Sequence, residues 1–359
     1  MPLTGNKGEW SEIYTLFKLL GEGVIYAGNG DMEKIPDLFY PILKVIRQEE
    51  YTYEYAPKEE EQRMVVIYRE GEEIMRVSMK KFSSMAESLL NEIREAKGHA
   101  FGIEDIESFM TSVKCRSLKA KSIDKSDIRI MIHDLRTGTT PTQGFSIKSQ
   151  LGHPSTLLNP GMTTNFAYDV TGGNVPMTDE YIAGVNAIPG QVERMDKLFD
   201  DGFHLKYCSM DCETFEDNLL ITDSWMPEII AESIAEHFIS GKSDVKDLMD
   251  KMIVRNPLGV RKPADFYEAK MKSLLVDIAL GMTPATPWKR IYDANGGYIV
   301  VRKDGEVLCY HFYDRNELED YLYKNTRYDF PSRSRYHYGS LYKEDGHVRM
   351  KLNFQIRFK

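Results

Sequence analysis

The stretch 126–151, SDIRIMIHDLRTGTTPTQGFSIKSQL, constrains this chain more than any other. Ile128, Ile130 and Ile132 alternate with Arg129, Met131 and His133. A period of two in β-branched residues marks a strand. Residues 137–144 hold the Gly, Thr and Pro of a turn. Beyond the turn, Ser146 and Lys148 share one face of a second strand, and Phe145, Ile147 and Ser149 share the other. Antiparallel pairing brings Asp127 and Lys148 to one end of this hairpin, so that a carboxylate, a hydroxyl and an ammonium converge. A carboxylate can hold Mg²⁺, which keeps several waters and bridges to phosphates. A lysine beside it can orient or deprotonate water and offset charge developing on a phosphate. These are the parts of metal-assisted phosphodiester hydrolysis. The same residues also suit a solvated surface hairpin with no chemistry.

A chain of 359 residues has room for two domains, or for one with an extension. Its 42% hydrophobic and 28% charged content is that of a soluble globular protein. No run of about 18 apolar residues exists to cross a membrane. The N-terminus lacks an apolar signal core, so a cytoplasmic location is expected. Cys115, Cys208, Cys212 and Cys309 are scattered. The Cys208/Cys212 spacing lacks a second ligand pair, and buried reduced thiols are the expectation. The net charge of −9 argues against nucleic acid, but the charge is segregated. Residues 324–359 hold nine Lys and Arg against three acids, and residues 114–129 hold six against two. Local basic surface, not total charge, makes a phosphate footprint.

In chain order, Trp10, Ile13, Tyr14, Phe17 and Leu20 form the apolar stripe of a helix over 9–21, started by Gly5-Asn6 and ended by Gly21 or Gly23. Glu9 and Glu12 neighbour each other on it. Short strands at 24–27 and 51–55 with a longer extended or mixed segment at 39–47 between them, a hairpin at 64–79 and helices at 81–96 and 103–113 precede the central hairpin. A short helix and then a loop are expected over 152–165, and a strand at 166–170. Helices are expected at 180–199, 215–239 (broken at Pro227), 243–253 and 263–280. A hairpin at 296–313, a helix at 315–324 and a hairpin over 335–358 around Asp345-Gly346 end the chain. The reading is α/β (α+β), mixed over 1–175, mainly helical over 176–285, and basic and β-rich over 286–359.

Taken together, several ordered segments resemble the HpaII-type type II restriction endonucleases of the PD-(D/E)xK nuclease superfamily. They are NKGEWSE at 6–12, KSDI at 125–128, GFSIKS at 144–149, PSTLLN at 154–159, TNF at 164–166, NT at 325–326, PSR at 331–333 and LNFQIRF at 352–358. The resemblance implies a PD-(D/E)xK core with a mixed central sheet. It implies a Mg²⁺-dependent enzyme that cuts double-stranded DNA at a short palindrome, with CCGG the expected site. Asp127 matches the first acid of the motif and Lys148 its lysine. Ser146 stands where the superfamily pattern has Asp or Glu, so a second carboxylate must come from elsewhere. Glu12 is the first choice and Glu9 the second, with Gln150 and Asn165 behind them. A G·C-only site favours arginine on guanine. Arg333 and Arg335, in the turn-like PSRSR, are the expected readers, with Arg327 and Lys324 on phosphates. Gln355 and Arg357, on the last strand, come next. A palindrome suits a homodimer.

Two other readings fit the same residues. Ser146 in place of an acid suits a binding protein without catalysis, and a non-specific nuclease would keep the motif but cut at scattered positions. A Ser-Lys amidohydrolase is poorly supported, because no Gly-x-Ser-x-Gly, Ser-Asp-Asn or Lys-Thr-Gly accompanies Ser122 and Lys125.

Overall fold

The protein is described from a computed structural model, which covers residues 2–60, 62–119, 126–292 and 296–359. It has a mixed α/β architecture. Two compact units form, each from two stretches of chain: 1–155 with 292–321, and 156–291 with 322–359. These bounds stand beside the divisions at 175 and 285 expected from composition.

The first unit is built on a nine-stranded sheet. In spatial order its strands are Val24–Gly28, Val307–His311, Gly297–Val301, Thr142–Ser149, Ile128–Ile132, Lys34–Gln48, Thr52–Lys58, Met64–Arg69 and Glu72–Ser78. The long strand Lys34–Gln48 also pairs with Val24–Gly28, closing the first six strands into a ring. The central hairpin forms with Ile128 opposite Phe145 and Ile130 opposite Gln143. Its second strand starts at Thr142, so Thr142, Gln143 and Gly144 belong to the ladder and not to the turn. That strand runs parallel to Gly297–Val301, with Tyr298 beside Ser146 and Val300 beside Lys148.

The helix Lys7–Glu22 packs on this sheet. Its stripe of Trp10, Ile13, Tyr14, Phe17 and Leu20 is at most 3% exposed. Asn6 caps it and Gly23, at φ 72°, ends it. Gly21 lies inside the helix for another reason. A Cβ there would stand 2.8 Å from the Ser83 backbone nitrogen, on the helix Met79–Glu95 that packs against it. Phe17, Phe82 and Phe109 meet edge to face at centroid distances of 5.1–5.8 Å, joining both helices to Glu104–Ser112.

The second unit holds a four-stranded antiparallel sheet, in the order Phe203–Met210, Asn165–Gly172, His347–Asn353, Leu341–Glu344. A three-stranded sheet joins Thr326–Tyr328, Ile356–Phe358 and Thr156–Leu158. The helix Met226–Ser240 is apolar on most sides and buries Ile229, Ile230, Ile234 and Phe238 completely. It takes a hydrogen bond at the Ala231 carbonyl from Tyr168 Oη, 2.7 Å.

No helix follows the central hairpin; Thr156–Leu158 is a strand, and Met162–Thr164 is a single 3₁₀ turn. The helical pattern over 180–199 breaks at Pro189-Gly190 into Asp179–Ala187 and Gln191–Asp200. The pattern over 215–239 breaks at 223–225, and Pro227 sits in the first turn of the second helix, where its missing N–H costs nothing. Strand Phe203–Met210 has no clean alternation and was not expected. Arg333–Tyr336 is one helical turn, and the strand expected over 347–358 is two, His347–Asn353 and Ile356–Phe358. Of the cysteines, Cys115 and Cys309 are buried, but Cys208 is exposed and Cys212 half-buried. Glu61 and residues 120–125, which include Lys121 and Lys125 of the basic lead-in, lie outside the described residues. No helix among the described residues is long and apolar enough to cross a membrane.

Candidate active site

Asp127 precedes the first strand of the central hairpin, and its backbone N–H donates to the Phe145 carbonyl at 2.9 Å. This register sets its side chain beside the second strand. Ser146 Oγ donates to Asp127 Oδ2 at 3.1 Å, and the Ile147 N–H donates to the same oxygen at 2.7 Å. Oδ1 has no donor among the described residues. The Ser146 hydroxyl is thus directed at the acid.

Lys148 is on the same strand face as Ser146. Its Nζ lies 5.1 Å from the centroid of the Tyr298 ring and forms no ion pair among the described residues. Burial pushes its ammonium below the ordinary lysine value, and the charges of Asp127 and Glu12 oppose that fall. Tyr298 was missed in the sequence. It reaches Lys148 through a parallel pairing of strands far apart in the chain, for which no local signal exists.

Glu9 and Glu12 divide their work. Glu9 Oε2 accepts from the Asn6 N–H at 2.8 Å, and Asn6 Oδ1 accepts from the Glu9 N–H at 3.0 Å, closing a capping box. Glu9 Oε1 lies 3.2 Å from Lys119 Nζ. The Asn6 bond, and then Lys119, hold its carboxyl below the usual range. Glu12 is raised to about 8, first by burial and then by the Asp127 charge. Ser11 Oγ meets Ser149 Oγ at 2.8 Å and ties this helix to the strand of Lys148.

A cleft of about 800 Å³ opens over these residues. Glu9, Glu12, Lys119, Lys148 and Ser149 line it, with Lys7, His99 and His153, which the sequence did not single out. Asp127 is not among the lining residues. Among the described residues no group of three or more His, Cys, Asp or Glu side chains gathers for a metal. The Asp127–Glu12 pair is the acidic set, and two carboxylates suit a cation that keeps much of its water. Of the weaker candidates, Gln150 Nε2 lies 3.2 Å from Met32 Sδ, and Asn165 Nδ2 is spent on Asp211 Oδ2 and the Tyr336 carbonyl.

The expected DNA-reading residues all fall in the second unit's part of the chain. Arg335 is exposed, its guanidinium 5.5 Å from the Tyr336 ring centroid. Arg333 is half-buried. Arg327 and Arg357 face each other across the strand pair Thr326–Tyr328 and Ile356–Phe358, and Arg357 Nε lies 2.7 Å from Asp329. Lys324 is in the last turn of the helix Arg315–Asn325. Gln355 is only 2% exposed and precedes the last strand, so its side chain is not a surface reader.

No solved structure matches the chain. A curated relative, the type II restriction enzyme HpaII of Haemophilus parainfluenzae, is 42% identical over 359 residues, covering 99% of this chain and 98% of the relative. The family model described as HpaII restriction endonuclease matches residues 6–358. With Asp127, Ser146 and Lys148 gathered at one end of the central hairpin, and with this match from end to end, the chain belongs to the HpaII restriction endonuclease family.

Proposed function

We propose that the chain is a Mg²⁺-dependent endonuclease that cuts both strands of DNA at CCGG, with Asp127, Glu12 and Lys148 as its catalytic set in a PD-(D/E)xK-type core. The observation that carries this reading is the convergence of Asp127, Ser146 and Lys148 on one hairpin end, electrostatically coupled to Glu12. Asp127 Oδ1 and the Glu12 carboxylate are the oxygens available to the cation. A Mg²⁺ ion held there would supply Lewis-acid stabilisation of the charge that develops on the scissile phosphate and the leaving oxygen.

The chain's own groups do the rest. The Ser146 hydroxyl and the Ile147 N–H fix the Asp127 carboxylate through Oδ2, leaving the other oxygen directed by their geometry. To serve as a ligand, Glu12 would have to be deprotonated. Lys148, half-buried beside Tyr298 and with a depressed pKa, orients the attacking water and can accept its proton. Glu9 holds the helix start and stays out of the chemistry. Arg335, the exposed member of its pair, is the better placed reader of guanine, with Arg327 and Lys324 toward phosphates. A two-fold dimer on the palindrome completes the reading.

A duplex with one CCGG site and a duplex with GGCC in its place test it. The account expects Mg²⁺-dependent cutting of the first only, and none by Asp127→Asn. Binding without cutting by the wild-type chain would favour the non-catalytic reading that Ser146 invites.

A further inference from the structure

The second unit holds a pocket of about 380 Å³, lined by Arg333, Ser334, His337, Ser340, Tyr342 and Lys351. Two hydrogen-bond donors in its wall, Arg333 Nη1 and Tyr342 Oη, are buried and have no partner among the described residues. A buried donor left unpaired carries its full desolvation cost, and more so on a charged group.

The surrounding charges do not relieve it. Arg194, 1% exposed, underlies the same loop and donates to the carbonyls of Ile188 at 2.6 Å, Gly339 and Asn186, and to Ser340 Oγ at 3.3 Å. None of these partners is a carboxylate. Burial and the neighbouring Arg333 charge both push the Arg194 guanidinium down. The nearby acids are committed to other cations. Asp211 pairs with Lys351 at 2.8 Å, Asp329 with Arg357 at 2.7 Å, and Glu344 with Arg349. Arg333 forms no ion pair among the described residues. The pocket thus combines one uncompensated guanidinium, a second buried behind it, a paired ammonium and several hydroxyls.

We infer that this pocket is an oxyanion site that takes a phosphate, with Arg333 as its anchor, and that on DNA it holds a backbone phosphate apart from the scissile one. Only the DNA source rests on the proposed function; the oxyanion chemistry does not. Guanidinium and hydroxyl donors match the acceptor-only oxygens of a phosphate. Arg333 is then a sequence-independent anchor, and Arg335 is left to read bases.

The test uses the full-length chain without Mg²⁺, in two arms. In the first, the melting temperature is followed with inorganic phosphate against chloride at equal ionic strength. Wild type should rise in phosphate, and Arg333→Ala should not. In the second, affinity for a CCGG duplex and for a GGCC duplex is measured across salt concentration. Arg333→Ala should lower the slope of log K against log salt by about one on both duplexes, with their affinity ratio unchanged. Arg333→Lys, which keeps the charge, should hold the slope. Should Arg333→Ala fail to fold, Tyr342→Phe should still reduce the phosphate-dependent rise. An Arg333→Ala chain that keeps the phosphate rise overturns the site. Loss of that rise with an unchanged slope overturns the DNA source in favour of a free phosphate. A changed affinity ratio overturns the anchor role, because Arg333 would then be reading a base. If wild type binds neither duplex, the proposed function fails, and the phosphate arm alone decides the pocket.

Discussion

Ser146 donates its hydroxyl to Asp127 Oδ2 at 3.1 Å. Together with the Ile147 N–H, 2.7 Å away on the same oxygen, it holds the Asp127 carboxylate still. Ser146→Ala removes one of the two donors on that oxygen, while the Ile147 N–H remains. Loss of one hydrogen bond to a charged group is worth about 1.5–3 kcal/mol. We expect kcat to fall about 10–100-fold with DNA binding intact, as measured by single-turnover cleavage and gel shift. An unchanged kcat would mean that Ile147 alone orients the carboxylate.

Glu9 and Glu12 should separate cleanly. Glu9→Ala breaks a capping box and should cost about 1 kcal/mol of stability, with cleavage rates little changed once the protein is folded. Glu12→Ala should abolish cleavage. Urea unfolding beside cleavage assays checks both. Loss of activity in Glu9→Ala at full stability would exchange their roles.

The Glu12 pKa gives a pH prediction for the metal-free protein. The folded carboxyl titrates near 8 against an ordinary value of 4.5. Between those values the folded chain holds a proton that the unfolded chain has released, so stability falls as pH rises across that window. Glu12→Gln removes the effect. It should be more stable than wild type at pH 8 by about 1–3 kcal/mol, with the gap closing toward pH 5. Denaturant midpoints at both pH values measure this, and no gap at pH 8 would contradict the burial of Glu12.

Much of this site was legible in the sequence, for a local reason. The hairpin's period of two fixes which side chains share a face, and its turn fixes which ends meet, so Asp127, Ser146 and Lys148 could be placed from the string alone. The helix Lys7–Glu22 was equally plain in its stripe and its Asn6 cap. What was hidden depends on long-range pairing. Nothing near residue 298 announces that its ring lies beside Lys148, because the parallel partner Thr142–Ser149 is remote in sequence. Nor does composition show that 292–321 returns to the first unit while 322–359 joins the second. Pro227 misled because proline both breaks helices and starts them. Gln355 misled because alternation gives a face but not whether that face is covered.

Gly21 tests the packing that carries Glu12. Its Cβ position falls 2.4 Å from Ser83 Oγ and 2.8 Å from the Ser83 nitrogen. The hydroxyl can rotate away, but the backbone cannot. Gly21→Ala should destabilise by about 1–3 kcal/mol through forced separation of the two helices, outweighing alanine's better helix propensity. Thermal unfolding measures it, and a stabilised variant would mean that the helices do not pack this closely.

The proposed role of Asp127, Glu12 and Lys148 is that of the catalytic set of a site-specific nuclease. Its most direct test is digestion of unmethylated plasmid by wild type and by Lys148→Ala, with and without Mg²⁺, followed by sequencing of every end. The account predicts ends at one short site, CCGG, from wild type with Mg²⁺ only, and intact plasmid with retained site-specific binding for Lys148→Ala. Cutting by Lys148→Ala at the wild-type rate, or wild-type ends scattered over the plasmid, would contradict it.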